Sequence, residues 1–107
     1  MTDADTLIKL AAKCEAATGP DTGLNFEIWE AVGGTPFHLD YTESIDAALT
    51  LVPEGCAWHV GCEIDFTPTA RVWGHDVHAD EFGATPVIAL CIAALRARSL
   101  QRKTGEG

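Results

Sequence analysis

The most apolar stretch of the chain, residues 84–102, predicts a buried helix. Its apolar positions recur three and four residues apart and spread beyond one face: Val87, Ile88, Leu90, Cys91, Ile92, Ala94 and Leu95. Thr85 can cap such a helix through its side-chain oxygen, and Pro86 suits the first helical position. Because a helix this apolar must be covered by a sheet or by other helices, we predict that it is a core element.

The same periodicity predicts three shorter helices earlier in the chain. They are residues 3–17, a second helix capped by Asp21 or Thr22 that ends near Val32, and residues 43–52, capped by Thr42. The cap of the first helix is Thr2 or Asp3. The third helix is expected to bury Ile45, Ala48, Leu49 and Val52.

Between these helices and the last one, the period changes from 3.6 to 2, which predicts a β-hairpin. The first strand has an apolar face made of Cys56, Trp58, Val60, Cys62, Ile64 and Phe66. After a turn at residues 67–69, residues 70–75 return as a second strand. This strand turns Ala70 and Val72 towards the core and leaves Arg71, Trp73 and His75 on the other face. The polar residues 76–83 are predicted to form a loop.

These elements give the order α-α-α-β-β-α and an α+β fold, in which helices pack on a short antiparallel sheet. The whole chain, residues 1–107, is expected to be a single domain. Two strands alone make a weak sheet. Residues 35–41 therefore either connect the helices irregularly or add an edge strand, or a second copy pairs with the sheet.

Charge and composition narrow the classes of function. The formal net charge of −9 argues against direct nucleic-acid binding, which needs clustered Lys and Arg. The first residues lack a basic segment followed by a long apolar one, so we expect no signal peptide. The longest apolar run is too short for a membrane span, and the four cysteines are expected to stay reduced in the cytosol.

The chain contains candidate metal ligands and nucleophiles, but their spacing matches neither a metal site nor a catalytic motif. His75 and His78 are two residues apart, and Cys56, His59 and Cys62 lie on the neighbouring strand. Cys56 and Cys62 point to the predicted core face, whereas His59 and His75 point away from it. We therefore expect no metal site and no cofactor. Cys62 with His59, or Ser44 with His38, would be nucleophile–base pairs, but neither lies in a recognisable catalytic turn.

The outward face of the hairpin carries the most informative group of side chains. His59, Arg71, Trp73 and His75 share this face, and Trp beside Arg and His can stack on a base and pair with a phosphate. The alternative is that Trp73 is covered by the N-terminal helices or by a second subunit. The pattern leaves both interpretations open.

Three segments, CEAATGPD at 14–21, YTESIDAALTLVPEG at 41–55 and ATPVIALCIAALRAR at 84–98, resemble small phage and prophage proteins known as the phage α-β-α sandwich domain family. The resemblance implies an α/β sandwich with helices on a small antiparallel sheet. It brings no catalytic residues with it. It also implies the setting of a phage accessory protein, active in the cytoplasm of the bacterial host.

In that setting we consider three alternative functions. The first is that of a non-enzymatic binder, which sequesters a nucleotide-type signal of host immunity. Its ligand-binding residues would be His59, Arg71, Trp73 and His75, joined by Arg96 and Arg98 from the last helix, in a homo-oligomer. The second is an inhibitor that binds a host defence protein, such as a nuclease or a nucleic-acid-guided complex. The third and more remote is an enzyme that depends on His59, His75 or Cys62.

Overall fold

A computed structural model describes residues 4–33, 39–74 and 76–105, with side chains up to Gln101. The elements it contains are α1 (Ala4–Ala16), α2 (Thr22–Ala31), α3 (Ile45–Leu49), β1 (Ala57–Cys62), β2 (Pro68–Gly74), β3 (Val77–Phe82) and α4 (Pro86–Gly105). The strands form one antiparallel sheet in the order β1-β2-β3. The predicted α+β class, with helices packed on a short antiparallel sheet, is confirmed.

The central element of the fold is α4. Every residue from Ile88 to Leu95 is fully buried, because α4 contacts α1 and α3 as well as strands β2 and β3. A helix that is apolar all round is stable only in such a position. Thr85 caps it as predicted, since its Oγ1 accepts a hydrogen bond from the Ile88 N–H at 3.1 Å.

The first two helices agree with the sequence prediction to within one residue at each described end. Asp21 is the cap of α2, because its Oδ1 accepts from the Leu24 N–H at 2.9 Å. The caps predicted for α1, Thr2 and Asp3, lie outside the described residues. Of the predicted connector or edge strand at residues 35–41, residues 35–38 also lie outside them, and residues 39–41 belong to no strand.

The prediction of a polar loop at residues 76–83 was wrong, because most of this segment is strand β3. Val77 and Ala79 are buried under α4, whereas His78, Asp80 and Phe82 alternate with them on the exposed side. The segment looks like a loop in the sequence because only two small apolar side chains reach the core. Two buried apolar side chains are enough for an edge strand, because its other face is exposed to solvent.

The third helix is shorter than predicted and begins later. It spans five residues and is capped by Ser44, whose side chain accepts from the Ala47 N–H. Thr42 cannot serve as the cap, because its hydroxyl is buried and hydrogen-bonds to Asn25 Oδ1 at 2.6 Å. Ala48 is buried as expected, but Ile45 is 37% exposed and Leu51 fills the core instead.

The first strand ends at Cys62, before the predicted end at Phe66. Residues 63–67 form a tight loop in which the Phe66 N–H donates to the Glu63 C=O at 2.8 Å and the Glu63 N–H donates to the Thr67 C=O at 2.9 Å. This is a turn followed by a residue with positive φ, here Phe66 with φ 69°. The alternating pattern had placed Ile64 and Phe66 in the core, and that was wrong: they are 100% and 84% exposed.

The link between β3 and α4 depends on a glycine. A Cβ on Gly83 would lie 2.6 Å from the Ala89 backbone nitrogen and 2.9 Å from the Ala89 Cα. The chain therefore passes close against the first turns of α4, which positions the helix over the sheet. Of the helices in the described part of the chain, none combines the length and the apolar character that a bilayer crossing requires.

Candidate functional site

One face of the sheet is packed against α4, and no described element covers the other, which we call the open face. Because directly paired residues of an antiparallel sheet share a face, the register defines its members. They are Ala57, His59 and Gly61 of β1, Thr69, Arg71 and Trp73 of β2, and His78, Asp80 and Phe82 of β3. His59, Arg71 and Asp80 form the middle row across the three strands.

A depression of about 320 Å³ lies on this face. Its lining includes His59, Arg71, Trp73 and Asp80, together with Thr69, Cys62 and Glu63. Trp73 is 39% exposed, so much of its indole ring is open to a ligand. Residues two apart on one strand face are about 7 Å apart, so Trp73 and Arg71 are neighbours on this face.

Among the described residues, Asp80 is the partner that holds Arg71 on the open face. The Nη2 of Arg71 lies 3.3 Å from Asp80 Oδ2, and about half of each side chain is exposed. An exposed ion pair of this kind contributes ~0–1 kcal/mol, because water competes for both charges. An incoming anion could therefore exchange with Asp80 at little cost.

Of the ligand-binding residues predicted from sequence, the structure brings together His59, Arg71 and Trp73. His75 lies outside the described residues. Arg96 lies on the helix side of the sheet, where it bonds to Glu81 at 2.9 Å and also to Glu15. The Nε of Arg98 donates to the Leu51 C=O at 2.7 Å. These two arginines tie α4 to its neighbours and do not reach the open face.

Sequence reasoning missed the contribution of β3 to this face. His78, Asp80 and Phe82 were assigned to a loop, so neither the carboxylate that pairs with Arg71 nor the exposed Phe82 ring was included. The signal that could have found them is the alternation of small apolar and polar residues from Val77 to Phe82.

A second exposed group lies at the tip of the β1–β2 hairpin. Ile64 and Phe82 line a shallow groove of about 590 Å³ with Glu63, Asp65 and Thr67. Hydrogen bonds from Thr67 hold the pKa of Asp65 below its usual range, so this carboxylate stays ionised. The hairpin tip, residues 63–67, therefore presents large apolar side chains beside a fixed negative charge.

The cysteines do not form a catalytic or metal-binding cluster among the residues described. Burial, reinforced by nearby carboxylates such as Asp21, raises the pKa of Cys14 to about 12. Burial raises the pKa of Cys91 as well, and its thiol donates to the Tyr41 C=O. Both are poor nucleophiles at neutral pH.

The two nucleophile–base pairs considered from sequence also find little support. Ser44 is engaged as the cap of α3, and His38 lies outside the described residues. Cys62 is exposed instead of facing the core, and it borders the depression near His59. Within the described ranges, no three His, Cys, Asp or Glu side chains are grouped so that they could hold a metal ion.

The fold and its open face thus define a small α+β protein with a one-sided antiparallel sheet. Comparison with protein-family models, with curated proteins and with solved structures finds no match to this chain. The resemblance to phage α-β-α sandwich proteins therefore stays a prediction.

Proposed function

We propose that this protein binds a small, planar, anionic molecule of the nucleotide class on the open face of its sheet. The observation that carries the proposal is that His59, Arg71 and Trp73 line one depression. The Trp73 indole supplies a stacking surface for a base. Arg71 supplies a planar donor that suits phosphate oxygens, with His59 beside it.

The charge of the molecule favours a single nucleotide over a nucleic acid. Sixteen acidic residues outnumber seven Lys and Arg residues. A polymer needs many cations along its backbone, whereas the open face offers Arg71 and two histidines. A depression of about 320 Å³ is at the lower end of the size of small-molecule sites.

Binding without turnover is the role that this arrangement supports. The nucleophiles near the depression are Cys62 and Thr69, and neither is hydrogen-bonded to a base in the described residues. Together with the resemblance to phage proteins, this leads us to propose an accessory protein that sequesters a nucleotide-type signal of host immunity in the host cytoplasm.

The test is thermal unfolding of the purified protein with a panel of cyclic dinucleotides, cyclic trinucleotides and adenosine-diphosphate-ribose derivatives. A ligand at about 100 times its Kd adds ~2.7 kcal/mol to the free energy of unfolding. For a domain of this size, that raises Tm by roughly 10 °C. We expect one class to do so, and Trp73→Ala and Arg71→Ala to remove the shift.

Matched control variants distinguish the loss of ligand binding at the depression from a general effect of removing an aromatic ring or a cation. Phe26→Ala removes an aromatic ring of similar exposure on α2, and Lys13→Ala removes an ion-paired surface cation on α1; both should keep the shift. Asp80→Asn should enlarge it, because the carboxylate that competes for Arg71 is gone. A flat panel with the wild-type protein would reject this function for these ligands.

The hairpin tip favours a second candidate function, inhibition of a host defence protein by direct binding. Ile64 is fully exposed and Phe66 nearly so, which is unusual for large apolar residues unless a partner covers them. This function predicts a stoichiometric complex with a purified host nuclease or nucleic-acid-guided complex that is lost in Ile64→Ser. Binding that survives Ile64→Ser and Phe66→Ser would exclude the tip as the contact.

A further inference from the structure

Strand β1 is an edge of the sheet whose free side can be read from the hydrogen-bond pattern. Along an antiparallel pair, residues alternate between those bonded to the neighbouring strand and those whose N–H and C=O point away from it. Cys62 is paired with Pro68, which has no N–H. The C=O of Pro68 accepts a hydrogen bond from the Gly83 N–H, so it points away from β1. The Cys62–Pro68 pair is therefore not hydrogen-bonded.

The same alternation identifies the other backbone groups of β1 that point away from β2. Trp58 and Val60 have the same parity as Cys62, so the N–H and C=O groups of all three residues point away from β2. In the described part of the chain, no hydrogen bond to these six backbone groups occurs. Beside them, Trp58 is 47% exposed on the helix side, at a margin that α4 leaves largely uncovered.

The two edges of the sheet differ in charge. Strand β1 carries no Asp, Glu, Lys or Arg, whereas β3 carries Asp80 and Glu81. A two-fold pairing of β3 with itself would put acidic residues opposite each other, which is unfavourable. In a protein with a net charge of −9, β1 is the edge that a second copy can approach.

We propose that two copies of this protein associate through β1, antiparallel and about a two-fold axis at Val60, to form a continuous six-stranded sheet. In this register Val60 pairs with Val60 of the second copy, and Trp58 pairs with Cys62. All six outward backbone groups of each copy are then hydrogen-bonded, and the exposed side of the Trp58 indole is covered. Any other register leaves some of these groups unpaired.

Dimerisation would also extend the candidate site. On the open face His59 would lie opposite Gly61 of the second copy, and the imidazole of that copy's own His59 leans over this glycine. The two depressions would then adjoin across the two-fold axis, with one His59 from each copy between them. The dimer does not depend on the ligand proposed above, because it is driven by the free backbone groups of β1.

Sedimentation and light scattering of the reduced protein over a wide range of concentration would test the dimer. The wild-type protein should have twice the 11.4 kDa mass of the chain. Val60→Pro removes an N–H that does not bond to β2, so the variant should fold and be monomeric. The matched control is His78→Pro, which removes an outward N–H at the opposite edge and should stay dimeric.

A crosslink tests the register without relying on a proline variant. Trp58→Cys should form an intermolecular disulfide with Cys62 of the second copy on mild oxidation, because directly paired residues have suitable Cα separations. The crosslink should be absent when Cys62→Ser is added. A wild-type protein that is monomeric throughout, a dimeric folded Val60→Pro, or the absence of the 58–62 crosslink would each overturn the proposal.

Discussion

At the scale of single residues, Phe66 is a position where local conformation and residue type disagree. Its φ of 69° is in the left-handed region, which is unfavourable for a residue with a Cβ and a bulky side chain. The ring is 84% exposed, so packing within the chain compensates little. Strain of this kind at an exposed aromatic residue is more common at binding sites than elsewhere.

We therefore expect Phe66→Gly to increase the free energy of unfolding by about 0.5–1 kcal/mol, because glycine adopts positive φ without a steric cost. Urea unfolding would measure the change. Ile64→Gly is the matched control, since Ile64 is also highly exposed but has no positive φ, and it should be neutral or destabilising. A loss of stability in Phe66→Gly would mean that the ring stabilises the fold.

At the scale of elements, the position of α4 over the sheet depends on the approach of Gly83 to the helix. The nearest atoms to a Cβ at Gly83 belong to the backbone of Ala89 and Ile88, which cannot move aside as a side chain can. We expect Gly83→Ala to destabilise the protein by about 1–3 kcal/mol, as overpacking of a core does.

The control for this prediction is Gly19→Ala, which has no atom within 4 Å of its added Cβ. It should be neutral or slightly stabilising, because alanine lowers the entropy of the unfolded chain. Denaturant midpoints of the two variants give the comparison. Equal stabilities would show that the link between β3 and α4 tolerates a shift.

The elements that sequence could predict are those in which periodicity and a cap agree. For α1, α2 and α4, an apolar stripe and helix-ending residues mark the same boundaries, and the structure follows them closely. Thr42 misled the prediction of α3 because a good capping residue can instead be used in a buried hydrogen bond to Asn25. Residue type alone does not distinguish these two uses.

The strands were less predictable because alternation does not reveal what covers a face. The alternating apolar residues continue to Phe66, but the turn stabilised by Asp65 and Thr67 ends β1 at Cys62. Conversely, the two small core residues of β3 gave too weak a signal. The candidate site was accordingly half predictable: the outward residues of β1 and β2 were identified, and those of β3 were not.

At the scale of the whole molecule, negative charge exceeds positive charge. The chain has sixteen acidic and seven basic Lys and Arg residues. Two of the basic side chains, Lys13 and Arg71, are already paired with Glu27 and Asp80 at exposed positions. With a radius of gyration of 12.6 Å, the remaining carboxylates are close enough to repel one another across the molecule when salt is low.

We expect Tm to rise when NaCl is increased from about 0.01 M, where the Debye length is ~30 Å, to about 0.1 M, where it is ~10 Å. Screening weakens both the repulsion and the exposed ion pairs, but each such pair contributes only ~0–1 kcal/mol. Differential scanning calorimetry would measure the change.

Lys13→Gln adds to the net negative charge and should enlarge the increase, whereas Glu54→Gln, at an exposed turn, should reduce it. A fall of Tm with salt would instead show that ion pairs, led by those of Arg96 with Glu15 and Glu81, outweigh the repulsion. The same repulsion acts between two copies, so the association through the uncharged β1 edge should strengthen over the same range of salt.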